Sequence, residues 1–410
     1  NMTGTSSMIG FDMGGTSTDV CRWSERVDLE KESLKAGLKI VTPSLAIETV
    51  AAGGGSICSF DGQRLKVGPE SAGSDPGPAC YGKGGPLCVT DINVWLNRVH
   101  VEHFPFRLDR DSVRQRLEEI KASMLKANLQ MDSIENLARQ FLKLANFTMA
   151  QTIRKVSSLK GFTPESHTLT CFGGAGAQHA AELADELSME KVLIHPLSGV
   201  LSAWGIGESS LSEHYSESCR IKLDTSNINK LSHSINSISE DLMKKLIFQG
   251  ASKKSLVTYV ECEIKTKGIE GGLFVEWVTD SDVLKESFIK EHEQCFGFKP
   301  DEQRFEIVSF RIEVVAKAKE RSLEIKMEEH DPKAHSSDDI IYRDSISEKD
   351  TVKGPVLIVE DCSSTYLPQG WGARLDRWGS LILERFEKLD RDKFSDKKEA
   401  LGLEIFTQQF

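Results

Sequence analysis

The sequence predicts an α/β fold over residues 1–212, followed by a β-rich C-terminal domain over 213–386. Three observations carry this. Residues 9–20 read as strand, glycine turn, strand. Residues 168–187 read as strand, glycine loop, helix. Beyond about residue 212 the apolar residues fall into short runs broken by Gly, Pro and Trp at the spacing of a β domain. Residues 387–410 read as a charged linker and an apolar restart.

At 410 residues, 39% hydrophobic and 28% charged, the chain can bury the cores of two or three domains. A net charge of −11 with no long basic run argues against a general nucleic-acid-binding surface. No stretch approaches the ~18 apolar residues of a membrane span. The nine cysteines stand singly at 21, 58, 80, 88, 171, 219, 262, 295 and 362, with no CxxC pair. That pattern argues against a zinc site or disulfide framework and for a reducing, cytoplasmic location. The chain opens on Asn1 without a signal peptide and reads as cut from something longer.

Ile9-Gly10-Phe11-Asp12-Met13 is apolar and small enough for a buried strand. It turns on Gly14-Gly15 and resumes through Thr16, Ser17, Thr18 and Asp19 to Val20. Paired glycines let a backbone approach a ligand and aim its N–H groups at it, and the three hydroxyls add donors. Asp12 and Asp19 repel phosphate, so a phosphate ligand requires a cation between them. Mg²⁺ carried by a nucleotide fits, because it takes oxygen ligands and keeps several waters. The alternative is a glycine hairpin with an Asp capping its own turn.

Glu48–Ile57 contains Gly53-Gly54-Gly55, which suits close backbone approach to a ligand or equally a tight loop between packed elements. Residues 65–85 form a long Gly/Pro-rich loop whose Ala, Cys and Tyr argue for packing. No Walker spacing occurs. Cys80 has no identifiable base beside it and reads as a buried thiol. Residues 92–99 form a short helix. Residues 110–160 are helical, with Asp111 or Ser112 capping the first helix. Asp132-Ser133-Ile134-Glu135 has capping-box spacing for the second. The second helix carries an apolar stripe from Ile134 through Leu137, Phe141 and Ile153 to Val156. Its polar Asn146, Gln151 and Arg154 either line a site or, the preferred reading, lie on a solvated face.

In Thr168–Ala180 a short strand enters the loop Gly173-Gly174-Ala175-Gly176, and a helix starts near Gln178. This arrangement receives phosphate or the ribose end of a nucleotide. It misses the Rossmann fingerprint, since His179 stands where the third glycine belongs. His179 either contacts a ligand or is satisfied within the helix start. A strand at 192–194 and a glycine turn at 198–207 follow. Segment 225–250 reads as a helix. Strands are expected at 256–264, 272–278, 305–316, 340–343, 355–360 and 381–384, with an exposed charged loop at 321–339.

These stretches together resemble the hydantoinase A / 5-oxoprolinase family. Residues 9–20 look like its Asp-x-Gly-Gly-Thr-x-Thr-Asp signature. Residues 49–56, 67–81 and 89–93 are similar to its Val-Ala-Ala-Gly-Gly-Gly, Gly-Pro-Glu-Ser-Ala-Gly…Pro-Gly-Pro-Ala-Cys-Tyr and Thr-Asp segments. Residues 171–180 and 199–207 resemble its Phe-Gly-Gly-Ala-Gly-x-x-His-Ala and Gly-Val-Leu-Ser-Ala-x-Gly segments, with Ala177 where the family carries Gly.

The resemblance implies half of an actin/Hsp70/sugar-kinase-like ATPase of ribonuclease H-like architecture. ATP and Mg²⁺ are the implied cofactors. Asp12 would hold Mg²⁺ through water. Gly14, Gly15 and Thr16 would cradle phosphates, with Thr18 and Asp19 beside them. Gly173, Gly174, Ala175 and Gly176 would face the adenosine, with His179 near. The implied activity is ATP-dependent hydrolysis of a small lactam, 5-oxo-L-proline to L-glutamate, by phosphorylation of the lactam oxygen. A hydantoinase B-like module, in the same chain or as a subunit, would open the ring, and the complete protein would be a homo-oligomer. Residues 401–410 resemble the start of that module, which favours a fused single-chain enzyme. The chain starts at the second phosphate hairpin, so on its own it is expected to lack substantial turnover. The alternatives are a hydantoinase or acetone-carboxylase-like subunit and, in another class, an inactive assembly or binding module.

Overall fold

The computed structural model describes residues 7–24, 26–27, 29–30, 33–35, 38–40, 44–159, 161–266, 271–300, 305–317, 339–360 and 363–387. The chain forms two compact units, one of Asn1–Ala203 with Leu323–Phe410, the other of Trp204–Ser322.

The first unit is built on a mixed sheet. Its strands are β1 (Ser7–Met13), β2 (Thr18–Ser24), β3 (Arg26–Val27), β4 (Ile47–Val50), β5 (Thr168–Phe172), β6 (Lys191–Ile194), β7 (Val352–Lys353), β8 (Trp371–Leu375) and β9 (Leu381–Arg385). The order is β7-β8-β9-β6-β5-β1-β2-β3, with β4 also on β2. β1, β5 and β6 run parallel, while β2 and β9 flank them antiparallel. This mixed α/β arrangement is in line with the fold the resemblance implies. Alternation decides which face is covered: Ile9, Phe11, Met13 and Val20 are buried, and Gly10, Asp12, Asp19 and Cys21 are half-buried on the other face.

Helices α1 (Val89–Trp95), α2 (Arg110–Lys126), α3 (Ile134–Leu159) and α4 (Ala180–Glu186) pack in the same core. Leu137, Phe141, Met149 and Ile153 of α3 are fully buried. Each contributes about 1.5–3 kcal/mol by leaving water. Asp109 caps α2, accepting from the Asp111 and Ser112 amides, so the cap lies two or three residues before the expected Asp111 or Ser112. Ser133 caps α3 through the Asn136 amide at 3.0 Å. Of the expected Gly/Pro-rich loop at 65–85, Leu65–Ser71 is instead a strand paired antiparallel with Ser56–Phe60, and the remainder is a packed loop. It is pinned by the buried Asp91, whose oxygens accept from the Ala79, Cys80 and Cys88 amides at 2.7–3.0 Å. Burial pushes the Asp91 carboxyl up, opposed by those bonds. Residues 198–207, expected as a turn, form a 3₁₀ turn and helix α5 (Leu201–Gly207).

The second unit is an antiparallel sheet ordered Ser212–Lys222, Phe305–Ala316, Leu256–Thr266, Leu273–Glu276. Helices α6 (Thr225–Phe248) and α7 (Ser281–Phe296) share its core through Ile228, Leu242, Leu284 and Phe288.

The division differs from the expected contiguous domain at 213–386. Strand β9 pairs with β6, Leu381 opposite Ile194. Trp371 is fully buried and donates Nε1–H to Asp185 Oδ1 at 3.1 Å. Buried Arg343 donates to the Ile194 and Gly379 carbonyls at 2.9 and 2.7 Å. Residues 340–386 therefore complete the first unit's sheet and core. The expected linker and apolar restart at 388–410, most of the loop at 321–339, and Cys362 lie outside the described residues.

Candidate functional site

Strands β1 and β5 end side by side, with Asp12 in register with Phe172. Ligands of open α/β sheets bind beyond such carboxyl ends. Each strand runs into a glycine turn, and the second turn packs against the last two residues of β1. Gly173 has φ +81°, and a Cβ there would lie 2.4 Å from Asp12 Oδ1 and 2.5 Å from the Met13 carbonyl. The Ala175 amide donates to the Met13 carbonyl at 3.1 Å. The third glycine run closes against the first. The Gly54 and Gly55 amides donate to the Gly14 and Gly15 carbonyls at 3.0 and 2.6 Å. A Cβ on Gly53 would sit 2.7 Å from the Thr16 carbonyl carbon. Of the two uses open to Gly53–Gly55, the geometry gives them packing between segments. Gly15, Thr16 and Gly174 are left exposed at the surface of this cluster.

Asp12 and Asp19 are directly opposed across the β1–β2 pair. Opposed like charges cost stability in a sheet. Each carboxylate is instead met by a hydroxyl: Ser202 Oγ donates to Asp12 Oδ2 at 2.6 Å, and Thr49 Oγ1 to Asp19 Oδ1 at 2.5 Å. Among the described residues neither meets a cation. The described residues hold no group of three or more His, Cys, Asp or Glu placed to enclose a metal. Two carboxylates beside an exposed glycine tip fit Mg²⁺ held mostly by water and phosphate, and do not fit an all-protein cage.

Three expected ligand residues sit elsewhere. His179 is fully buried. Its Nδ1–H donates to Asn146 Oδ1 at 2.7 Å, and its Nε2 accepts from Asn93 Nδ2 at 2.9 Å. Asn146 Nδ2 is committed to Glu182 Oε2 at 3.0 Å, which fixes this tautomer. Burial, with the Arg98 charge adding, pushes the imidazole down to about 3. It is a core histidine whose two ring nitrogens are both taken by protein partners. Thr18 is also fully buried, its hydroxyl donating to the Ala52 carbonyl. Gly176 is buried, and a Cβ there would meet Cys171 Sγ at 2.7 Å.

Asn146 is drawn off its expected solvated face because His179 and Glu182 both need a partner. Buried Arg98 forks onto Glu182, reaches the Gln178 carbonyl at 3.2 Å and stacks on Tyr366 at 4.1 Å. The helix after the second glycine turn is held by this network. Ser202 lies 190 positions from Asp12, and the small-residue run at 199–207 is its one signal in the sequence.

The Hydantoinase/oxoprolinase family model matches residues 1–215. The chain belongs to the hydantoinase/oxoprolinase family. It is 37% identical to the 5-oxoprolinase of Saccharomyces cerevisiae over 82% of its own length, and spans 27% of that relative. A solved ATP-dependent caprolactamase from Pseudomonas jessenii is 27% identical with a TM-score of 0.81, covering 94% of this chain and 60% of that one. A nucleotide-free acetone carboxylase shares the fold alone, at 20% identity and a TM-score of 0.65, over 93% of this chain and 59% of that one. This member of the hydantoinase/oxoprolinase family thus keeps company with enzymes named for opening lactams. No described helix is long and apolar enough to cross a membrane.

Proposed function

We propose that this chain carries part of the ATP site of an ATP-dependent cyclic-amide hydrolase acting on 5-oxo-L-proline in the cytosol. The observation that carries the reading is the contact of Asp12 with Gly173 at the ends of adjacent parallel strands, beside the exposed Gly15–Thr16 tip. The 37% identity to a 5-oxoprolinase supports the substrate.

In this reading the Gly15 amide and the Thr16 hydroxyl bind phosphate oxygens, and Gly173–Ala175 line the nucleoside side; the Gly14 amide, expected to join them, closes its own turn by donating to the Ser17 carbonyl at 3.1 Å. Asp12 orients metal-bound water. Mg²⁺, when bound, would neutralise the phosphate charge that the two carboxylates otherwise repel. Phosphorylating the lactam oxygen turns a poor leaving group into a good one and opens the ring carbon to water. A hydantoinase B-like module, in the same chain or as a subunit, supplies the hydrolytic groups.

The test uses the full-length protein. Calorimetry is expected to show MgADP binding that is lost in Asp12→Asn, and ADP release is expected to depend on 5-oxo-L-proline. ADP release stimulated instead by hydantoin, ε-caprolactam or acetone would overturn the substrate. MgADP binding unaffected by Asp12→Asn would overturn the site.

A further inference from the structure

The Asp12 carboxylate is held from two sides by groups 29 residues apart in sequence. Ser202 Oγ, in the first turn of α5, donates to Oδ2 at 2.6 Å. On the other side Oδ1 lies against the Gly173 α-carbon, so closely that a Cβ would come within 2.4 Å. An aspartate has one staggered torsion and one broad torsion. A hydrogen bond on one oxygen and a steric wall against the other restrain both. Gly173 is held in turn, its amide donating to the Ser198 carbonyl at 3.0 Å. The 3₁₀ turn at Ser198–Val200 leads directly into the helix that carries Ser202. One segment, 198–202, therefore sets both restraints.

We propose that Ser202 is a positioning residue for the metal at Asp12. It fixes the carboxylate so that the face turned away from Ser202 and Gly173 is the one offered to metal-bound water. This inference rests on the nucleotide–Mg²⁺ reading of the site. Groups that orient a ligand from behind typically change metal affinity by 10–100-fold. Ser202 is solvent-exposed, so the lower end of that range applies.

The experiment reads Mn²⁺ in place of Mg²⁺, by electron paramagnetic resonance of the full-length protein with ADP. Ser202→Ala is expected to weaken Mn²⁺ binding by about tenfold while leaving ADP affinity in EDTA unchanged. Ser202→Thr, which keeps the hydroxyl, is expected to restore it. Asp12→Asn serves as the reference for the site itself. Loss of Mn²⁺ in Asp12→Asn with no change in Ser202→Ala would overturn the positioning role alone. An equal loss of ADP affinity in EDTA would also overturn it, because Ser202 would then act on the nucleotide or the fold. No change in Asp12→Asn would overturn the site reading, and the inference with it.

Discussion

His179 and Asn146 share a 2.7 Å hydrogen bond inside the first unit's core, and that bond has no use for a second proton. With Asn93 donating to the other ring nitrogen, protonation would break one of the two bonds and leave a buried charge beside Arg98. The imidazole is pushed down to about 3 from an ordinary value of 6.5. The unfolded chain therefore binds a proton between those values that the folded chain refuses. Stability from this group is complete above pH 6.5 and is lost as the pH falls towards 3, at up to about 1.4 kcal/mol per pH unit. His167 and His195 are pushed down by burial too and add to the same limb. Urea unfolding of His179→Gln is expected to show lower stability at pH 7.5 and a shallower decline from pH 6.5 to 4.5. A decline as steep as in the parent would show that His179 does not titrate in this way.

Asp12→Asn separates a ligand site from a turn residue. The carboxylate accepts one hydroxyl, and an amide can accept the same bond through its oxygen. Removing a charge directly opposite Asp19 also relieves a repulsion. The folded state is therefore expected to change by less than about 1 kcal/mol. Mg²⁺-dependent phosphoryl transfer in the full-length protein is expected to fall by about a hundredfold, the scale of losing one electrostatic group at a reacting centre. Comparable losses in thermal stability and activity would reduce Asp12 to a structural residue.

Thiol labelling tests the burial pattern. Cys58, Cys80, Cys88, Cys171 and Cys262 are buried thiols, and Cys295 is exposed. Burial pushes the Cys58, Cys80, Cys88 and Cys171 thiols well up and Cys262 to about 12. Thiolate is the reactive form. Iodoacetamide followed by peptide mass mapping is expected to modify Cys295 first among the described cysteines. The five buried thiols should react only on unfolding. Early modification of Cys80 would contradict its place in the core.

The sequence was most legible where local chemistry and fold agree. The alternation from Ile9 to Met13, the glycine turn and the return at Thr18 specify a hairpin without any distant contact. The stripe on α3 specifies its buried face in the same way. What the sequence hid is non-local. Leu381, Ile382 and Leu383 read as one more strand of a β domain, and nothing near them indicates pairing with β6 almost 190 residues earlier. The strand Ser212–Lys222 escaped notice because it is mostly polar and exposed, without the alternation that marks a half-buried strand. Helix α7 is hidden because its buried apolar positions, Leu284 and Phe288, are sparse among charges. At the site, the glycine clusters and Asp12 were readable as motifs. That His179 and Thr18 turn inward was not, because it depends on Asn93, Asn146 and the Ala52 carbonyl, each brought from another segment.

Two glycines distinguish packing from ligand contact. A Cβ added to Gly15 meets nothing within 4 Å and the residue is exposed, so Gly15→Ala is expected to leave the melting temperature within a degree or two. If phosphate approaches that tip, the added methyl stands in its path, and MgADP affinity is expected to fall by tenfold or more, roughly the worth of one displaced hydrogen bond. At Gly173 the φ of +81° costs an L-residue about 1–2 kcal/mol, and the Cβ collides with Asp12 Oδ1 and the Met13 carbonyl. Gly173→Ala is therefore expected to lose stability and MgADP binding together. Thermal melts and calorimetry on both variants of the full-length protein decide the matter. Gly15→Ala that binds MgADP as the parent does would place the phosphates somewhere other than the first glycine turn.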